Sequence, residues 1–133
     1  MIGHYEKGLQ WLDEGKLREA EDAFLASIDE NLEDALSYSK LGLIYARIED
    51  YEKAKEYFKV ALKYDPQLVP AWNNLGNIAR QEGDLEQAKE YYQKAVAADP
   101  SNPVPERNLR SLEKQIRWTP KILQNLLKPK SKR

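Results

Sequence analysis

Cysteine is absent from this 133-residue chain, and histidine occurs once, as His4. No disulfide, thiolate metal site or cysteine nucleophile is therefore possible, and no second imidazole completes a metal site or a nucleophile–base pair. The lack of cysteine does not locate the compartment, because such a chain tolerates any redox poise. No apolar run is long enough to span a bilayer. The six glycines come singly, never as a Gly-x-Gly-x-x-Gly cluster, so no phosphate-cradling loop is present. Adjacent carboxylates such as Asp13–Glu14 and Glu21–Asp22 lie in mixed polar stretches and read as solvated faces. Met1 leads into His4, Glu6 and Lys7 and not into an apolar leader, so a cytoplasmic location is the expectation. No catalytic residue, metal site or cofactor is expected.

Neither sign of charge dominates the whole, with 21 Lys+Arg against 22 Asp+Glu and a net charge of −1. The balance is uneven along the chain. Residues 1–102 hold 12 Lys+Arg against 20 Asp+Glu, whereas residues 103–133 hold 9 against 2. An acidic body with a basic end suggests a charged partner or self-association. Terminal cations that merely keep an end solvated are the simpler alternative.

What the chain does have is a period of 34 residues, seen three times over 1–34, 35–68 and 69–102. Gly8, Gly42 and Gly76 align, as do Ala20, Ala54 and Ala88. So do Phe24, Phe58 and Tyr92, then Ser27, Ala61 and Ala95; Pro66 and Pro100 close the second and third units, with Leu32 in that place in the first. A fixed period of this length signals a solenoid, because one unit cannot bury its apolar face alone and must stack on its neighbours.

Each unit divides into two helical stripes around a breaker. In the third, Pro70 suits a first turn, and Trp72, Leu75, Gly76 and Ala79 follow at three- and four-residue steps. Gly83–Asp84 interrupts, and Leu85, Ala88, Tyr92 and Ala95 resume. The second unit repeats this with Tyr38, Leu41, Gly42 and Tyr45, a break at Glu49–Asp50, then Tyr51, Ala54, Phe58 and Ala61. Small residues recur where helices must approach closely, and bulky ones where the space between axes must be filled. Glycine inside a helix costs about 1 kcal/mol relative to alanine, so its recurrence indicates a packing need.

The spacing Trp-x2-Leu-Gly-x2-Tyr, then Ala-x3-Phe-x2-Ala, then Pro resembles the tetratricopeptide repeat signature. Trp72-Leu75-Gly76, Tyr38-Leu41-Gly42-Tyr45, Ala54-Phe58-Ala61-Pro66 and Ala88-Tyr92-Ala95-Pro100 carry the likeness, which covers 102 of the 133 residues without a gap. Unit one departs from it, with His4 and Lys7 at the Trp and Leu positions, as suits the end of a stack. The resemblance implies an all-α right-handed solenoid over 1–118: three helix-turn-helix units and a capping helix over about 104–118. Leu109, Leu112 and Ile116 form the last stripe, from 106 to 118. A basic amphipathic tail, 119–133, follows. Thr119–Pro120 reads as its helix start, Lys121–Lys128 as the helix, and Lys128–Arg133 as a mobile end.

In that family the first helices line an inner groove. Carried over by the resemblance, the groove takes Ile2, Tyr5, Leu9, Leu12 and Asp13 from unit one, and Leu36, Ser39, Leu43, Ala46 and Arg47 from unit two. Unit three contributes Pro70, Asn73, Asn77, Arg80 and Gln81, and the closing helix Arg107, Ser111, Lys114 and Gln115. A peptide with apolar side chains on Tyr5, Leu9, Leu12 and Leu43, its backbone on Asn73 and Asn77, and carboxylates on Arg47, Arg80 and Arg107 fits that gradient. The plainer alternative makes the leucines inter-helix packing and the amides and arginines solvent-facing. The lysine–asparagine clamp that some members use on a chaperone's C-terminal carboxylate would fall on Tyr5, Leu9, Lys40, Pro70 and Asn74, or one unit later on Ser39, Leu43, Asn74, Val104 and Asn108. Neither set matches it, so chaperone-tail binding is not expected.

The functional expectation is thus a non-catalytic interaction module for a protein or peptide partner. A self-assembling scaffold, forming a homo-oligomer through the tail, is the alternative. An electrostatic contact of Lys121–Arg133 with a membrane or RNA is the least favoured reading.

Overall fold

The computed structural model describes residues 2–128. Among them are eight α-helices and no strand: α1 (His4–Asp13), α2 (Leu17–Glu30), α3 (Ala35–Arg47), α4 (Tyr51–Tyr64), α5 (Val69–Gln81), α6 (Leu85–Ala98), α7 (Pro103–Trp118) and α8 (Lys121–Leu127). The helices keep the period of the sequence. α2, α4 and α6 each run 14 residues, and each begins 34 residues after the last; α3, α5 and α7 begin at 35, 69 and 103 in the same step. The expected mobile end, Lys128–Arg133, lies outside the described residues except for Lys128.

The turns inside the repeats explain the regularity. Gly15, Glu49 and Gly83 occupy the left-handed region with φ of 75°, 63° and 85°. At each, the next residue's N–H bonds back across the turn: Lys16 to the Trp11 carbonyl at 2.8 Å, Asp50 to Tyr45 at 2.9 Å, and Asp84 to Ala79 at 2.9 Å. This is the Schellman closure, which satisfies carbonyls that a helix end otherwise leaves open. The residue that closes one helix also caps the next. Asp50 accepts from the Lys53 N–H at 3.3 Å and Asp84 from the Gln87 N–H at 3.1 Å.

The chain forms two compact units, Met1–Pro66 and Gln67–Arg133. In the first, Leu12, Ala20, Phe24, Ile28, Leu41 and Ile44 make the core, with Tyr5, Leu9, Leu43 and Tyr57 packed on it. Gly8 and Gly42 lie flat against the Phe24 and Phe58 rings; a Cβ there would stand 2.5 Å and 2.7 Å from a ring carbon. Asp34 caps α3 through the Ser37 N–H at 3.1 Å, and its other carboxylate oxygen accepts from the buried Ser27 and Ser37 hydroxyls. In the second unit Ala79, Leu85, Ala88, Tyr92 and Leu112 form the core, and Gly76 meets the Tyr92 ring as its counterparts meet phenylalanine.

The capping helix expected over about 104–118 runs Pro103–Trp118; Asn102 accepts from the Val104 N–H at 3.0 Å, and both Pro103 and Pro105 fall in a first turn that needs no donor from them. One local expectation is corrected. Thr119 does not start α8. Its hydroxyl donates to the Gln115 carbonyl at 2.7 Å and so finishes α7, while Pro120 stands at the N-cap of α8.

Candidate functional site

In the first unit, Leu9, Leu12, Leu43 and Arg47 share one cleft of about 470 Å³ with Gln10, Asp13 and Lys40. The leucines come from α1 and α3, whose periodicity sends them to the same side. Leu12 is buried and belongs to the core, so it floors the cleft; Leu9 and Leu43 are half-buried and Arg47 is exposed. Asp13, Lys40 and Arg47 place one anion and two cations at this apolar surface. Tyr5 is not among the lining residues. Its ring packs on Phe24 with centroids 5.7 Å apart, and burial, then the charges of Asp34 and Glu6, raise its hydroxyl above the usual tyrosine range.

In the second unit the predicted polar residues are tied down by side chains that lie far along the sequence. Arg80 donates from Nε to the Gln115 side-chain oxygen at 2.8 Å and from a terminal nitrogen to the Ser111 hydroxyl at 3.0 Å. Its guanidinium is thereby held by α7. Asn77 accepts from the Tyr92 hydroxyl at 2.5 Å, and burial raises that hydroxyl's pKa while Arg80 opposes the rise. Asn73 accepts from the Asn108 amide at 3.0 Å. That bond leaves the Asn73 amide hydrogens as donors and the Asn108 side-chain carbonyl as an acceptor, the kinds of group that complement a peptide group. Arg107 is exposed.

A smaller cleft of about 200 Å³ is lined by Val69, Pro70, Asn73, Asn74, Asn102, Val104 and Pro105. Of the predicted residues it holds Pro70 and Asn73, whereas Asn77, Arg80 and Arg107 lie outside its lining. Among the polar residues, sequence reasoning left out Gln10 and Asn102, and it named Lys40, Asn74 and Asn108 only as positions of a clamp it did not expect. Asn108 has a legible signal, since it stands 35 residues after Asn73, nearly one period on. Among the described residues no group of histidine and carboxylate side chains could hold a metal ion, and no helix is long and apolar enough to cross a membrane.

A family model described as Tetratricopeptide repeat matches residues 5–69 and 40–103. Among curated proteins, Cellulose synthase 1 operon protein C of Komagataeibacter xylinus is 34% identical over 67 residues, half of this chain; the match spans 5% of that protein's length. Among solved structures, the first TPR of Spaghetti (RPAP3) bound to HSP90 peptide SRMEEVD superposes with a TM-score of 0.79 at 21% identity, over 86% of this chain and 93% of that one. The Sgt2 TPR domain from Aspergillus fumigatus gives 0.77 at 22% identity, over 86% of this chain and 77% of that one. These likenesses show the fold: an α-solenoid of helix-turn-helix repeats.

Proposed function

This chain belongs to the tetratricopeptide repeat family, and from that premise we propose that it is a non-catalytic protein-interaction module whose first helices take up a peptide or a partner helix. The observation that carries the reading is Arg80. A guanidinium fixed by Gln115 and Ser111 has already lost much of the side-chain freedom that binding a carboxylate would otherwise remove, and it keeps donors free for one. The Asn73–Asn108 pair supplies complementary groups for a ligand backbone, and Asn77 stands one turn of α5 from both Asn73 and Arg80. On the first unit, Leu9 and Leu43 offer an apolar seat edged by Arg47 and Lys40. The favoured ligand is therefore an acidic peptide with leucine-type anchors.

The HSP90 peptide of the RPAP3 structure is that protein's ligand. In this chain the positions that would clamp a terminal carboxylate hold Tyr5, Leu9, Lys40, Pro70 and Asn74, or Ser39, Leu43, Asn74, Val104 and Asn108. An internal acidic segment suits them better than a free chain end.

The test is an array of acidic, leucine-bearing peptides, with the best binder measured by fluorescence anisotropy. Arg80→Ala and Leu43→Asp should each weaken binding about tenfold or more, the loss of one charge-assisted hydrogen bond or one apolar anchor. Unchanged affinity in both variants puts the contact elsewhere.

A further inference from the structure

The proposed peptide surface leaves unused three bare apolar side chains that follow closely in sequence at the end of the described chain. Trp118, the last residue of α7, is 81% exposed, and Ile122 and Leu126 on α8 are 74% and 77% exposed. At 100° per residue, Ile122 and Leu126 lie about 40° apart on the helix, and Leu123 and Leu127 about 100° further round. That second pair is half covered, at 45% and 47%. Leu127's backbone lies so close to Gly83 that any Cβ there would collide with its carbonyl. The Gln124 amide donates to the carbonyls of Ile116 at 2.8 Å and Thr119 at 2.7 Å, and Lys128 pairs with Glu86 at 3.3 Å. α8 is held down along one edge and presents the other.

Along the sequence the charge of this stretch is of one sign, and the carboxylate that reaches it, Glu86 of α6, is paired with Lys128 on the held edge. Glu113 is the last acidic residue, and residues 114–133 carry seven cations and no carboxylate. Arg117 and Lys121, the sequence neighbours of Trp118 and Ile122, are exposed. Lys121 lies about 100° from Ile122, on the side away from Leu123, so its stem can run along apolar surface while its ammonium reaches outward. A second protein is a poor fit by area. Three side chains of at most about 150–250 Å² each fall short of the roughly 800 Å² per partner that a stable protein interface buries. A lipid surface has no such threshold. It takes shallow insertion of a few apolar side chains, accepts tryptophan at headgroup depth, and attracts cations to anionic headgroups.

We propose that Trp118, Ile122 and Leu126, flanked by Arg117 and Lys121, form a peripheral docking surface for an anionic bilayer, with α8 lying in the plane of the headgroups. The assignment is independent of the peptide-binding reading, because no residue is shared between the two surfaces.

The experiment is flotation of the full chain with vesicles of phosphatidylcholine alone and vesicles containing about one third phosphatidylserine, at low and high salt. Binding is expected to the anionic vesicles, to weaken with salt, and to fall about tenfold or more in Ile122→Asp/Leu126→Asp. Lys121→Glu should weaken it with the apolar side chains intact. Circular dichroism of both variants should match the parent, since all three positions are exposed. No binding to anionic vesicles at low salt overturns the proposal. So does vesicle binding that survives the double aspartate variant, or binding to RNA with the same salt dependence and no vesicle binding. A concentration-dependent dimer abolished by the double variant, without vesicle binding, assigns these side chains to a second copy and overturns it equally.

Discussion

Glu49 is the one side chain with a Cβ at a position where the repeat twice uses glycine. Gly15 and Gly83 take their positive φ without steric cost, whereas Glu49 sets its Cβ against the following carbonyl at a φ of 63°. The backbone closure of the turn is the same, because the Asp50-to-Tyr45 bond is as short as its counterparts. Glu49→Gly should therefore raise stability by about 0.5–1 kcal/mol, the relief of left-handed strain less the extra freedom glycine has when unfolded. Chemical denaturation reads this directly, and a variant less stable than the parent would show that Glu49 is held there by something other than the turn. At the same scale, Tyr92 stands where two units use phenylalanine, and its added hydroxyl holds Asn77. A core position thus reaches out to orient a surface amide.

Among the elements, α2, α4 and α6 form a controlled comparison. They share a length and a register but not an N-cap. Asp50 and Asp84 cap α4 and α6 through their carboxylates, while Lys16 opens α2 with no side-chain bond and a cation at the positive end of the helix dipole. Lys16→Asp should stabilise the protein by about 0.5–1 kcal/mol through the new N-cap. Its loose pairing with Glu14 at 3.9 Å and its position over the Trp11 ring would be lost, so the gain falls at the lower end of the capping range. A shift in the midpoint of thermal unfolding measures it, and a lowered midpoint would give the Trp11 contact the greater weight. α8 shows the opposite case. Seven residues do not sustain a helix in water, and this one is held by Gln124, Lys128 and the bare backbone at Gly83.

For the molecule as a whole, the tyrosines set the alkaline limit. Tyr5 and Tyr92 are raised chiefly by burial, as is Tyr38, where neighbouring Tyr64 and Tyr57 add to it; Tyr45 is raised first by its hydrogen bond to Glu21, then by burial. Their usual value is 10.0, and a folded state that prefers the neutral phenol is stabilised below that pH. That stability is lost as pH rises through the raised values. The melting temperature should therefore fall above about pH 10, and part of the phenolate absorbance of the eight tyrosines should lag behind that of free tyrosine. Coincident ionisation of all of them at the free value, with no change in melting, would contradict this.

The amino-acid order determined the helices, their 34-residue register, the breaks at Glu49 and Gly83, and the recurrence of small and bulky residues at fixed positions of the repeat. Those features are local or recur between adjacent elements, and periodicity and side-chain size report them directly. Its error at Thr119 came from reading a residue that suits either side of a helix end. Only the tertiary structure decided that Arg80 belongs to Gln115 and Ser111, that Asn73 meets Asn108, that Tyr5 stands apart from the cleft of Leu9 and Leu43, and which edge of α8 is left bare. Each of those depends on how two helices are rotated about their own axes when they pack. A few tens of degrees of rotation change a side chain's partner without changing the pattern that spells the helix.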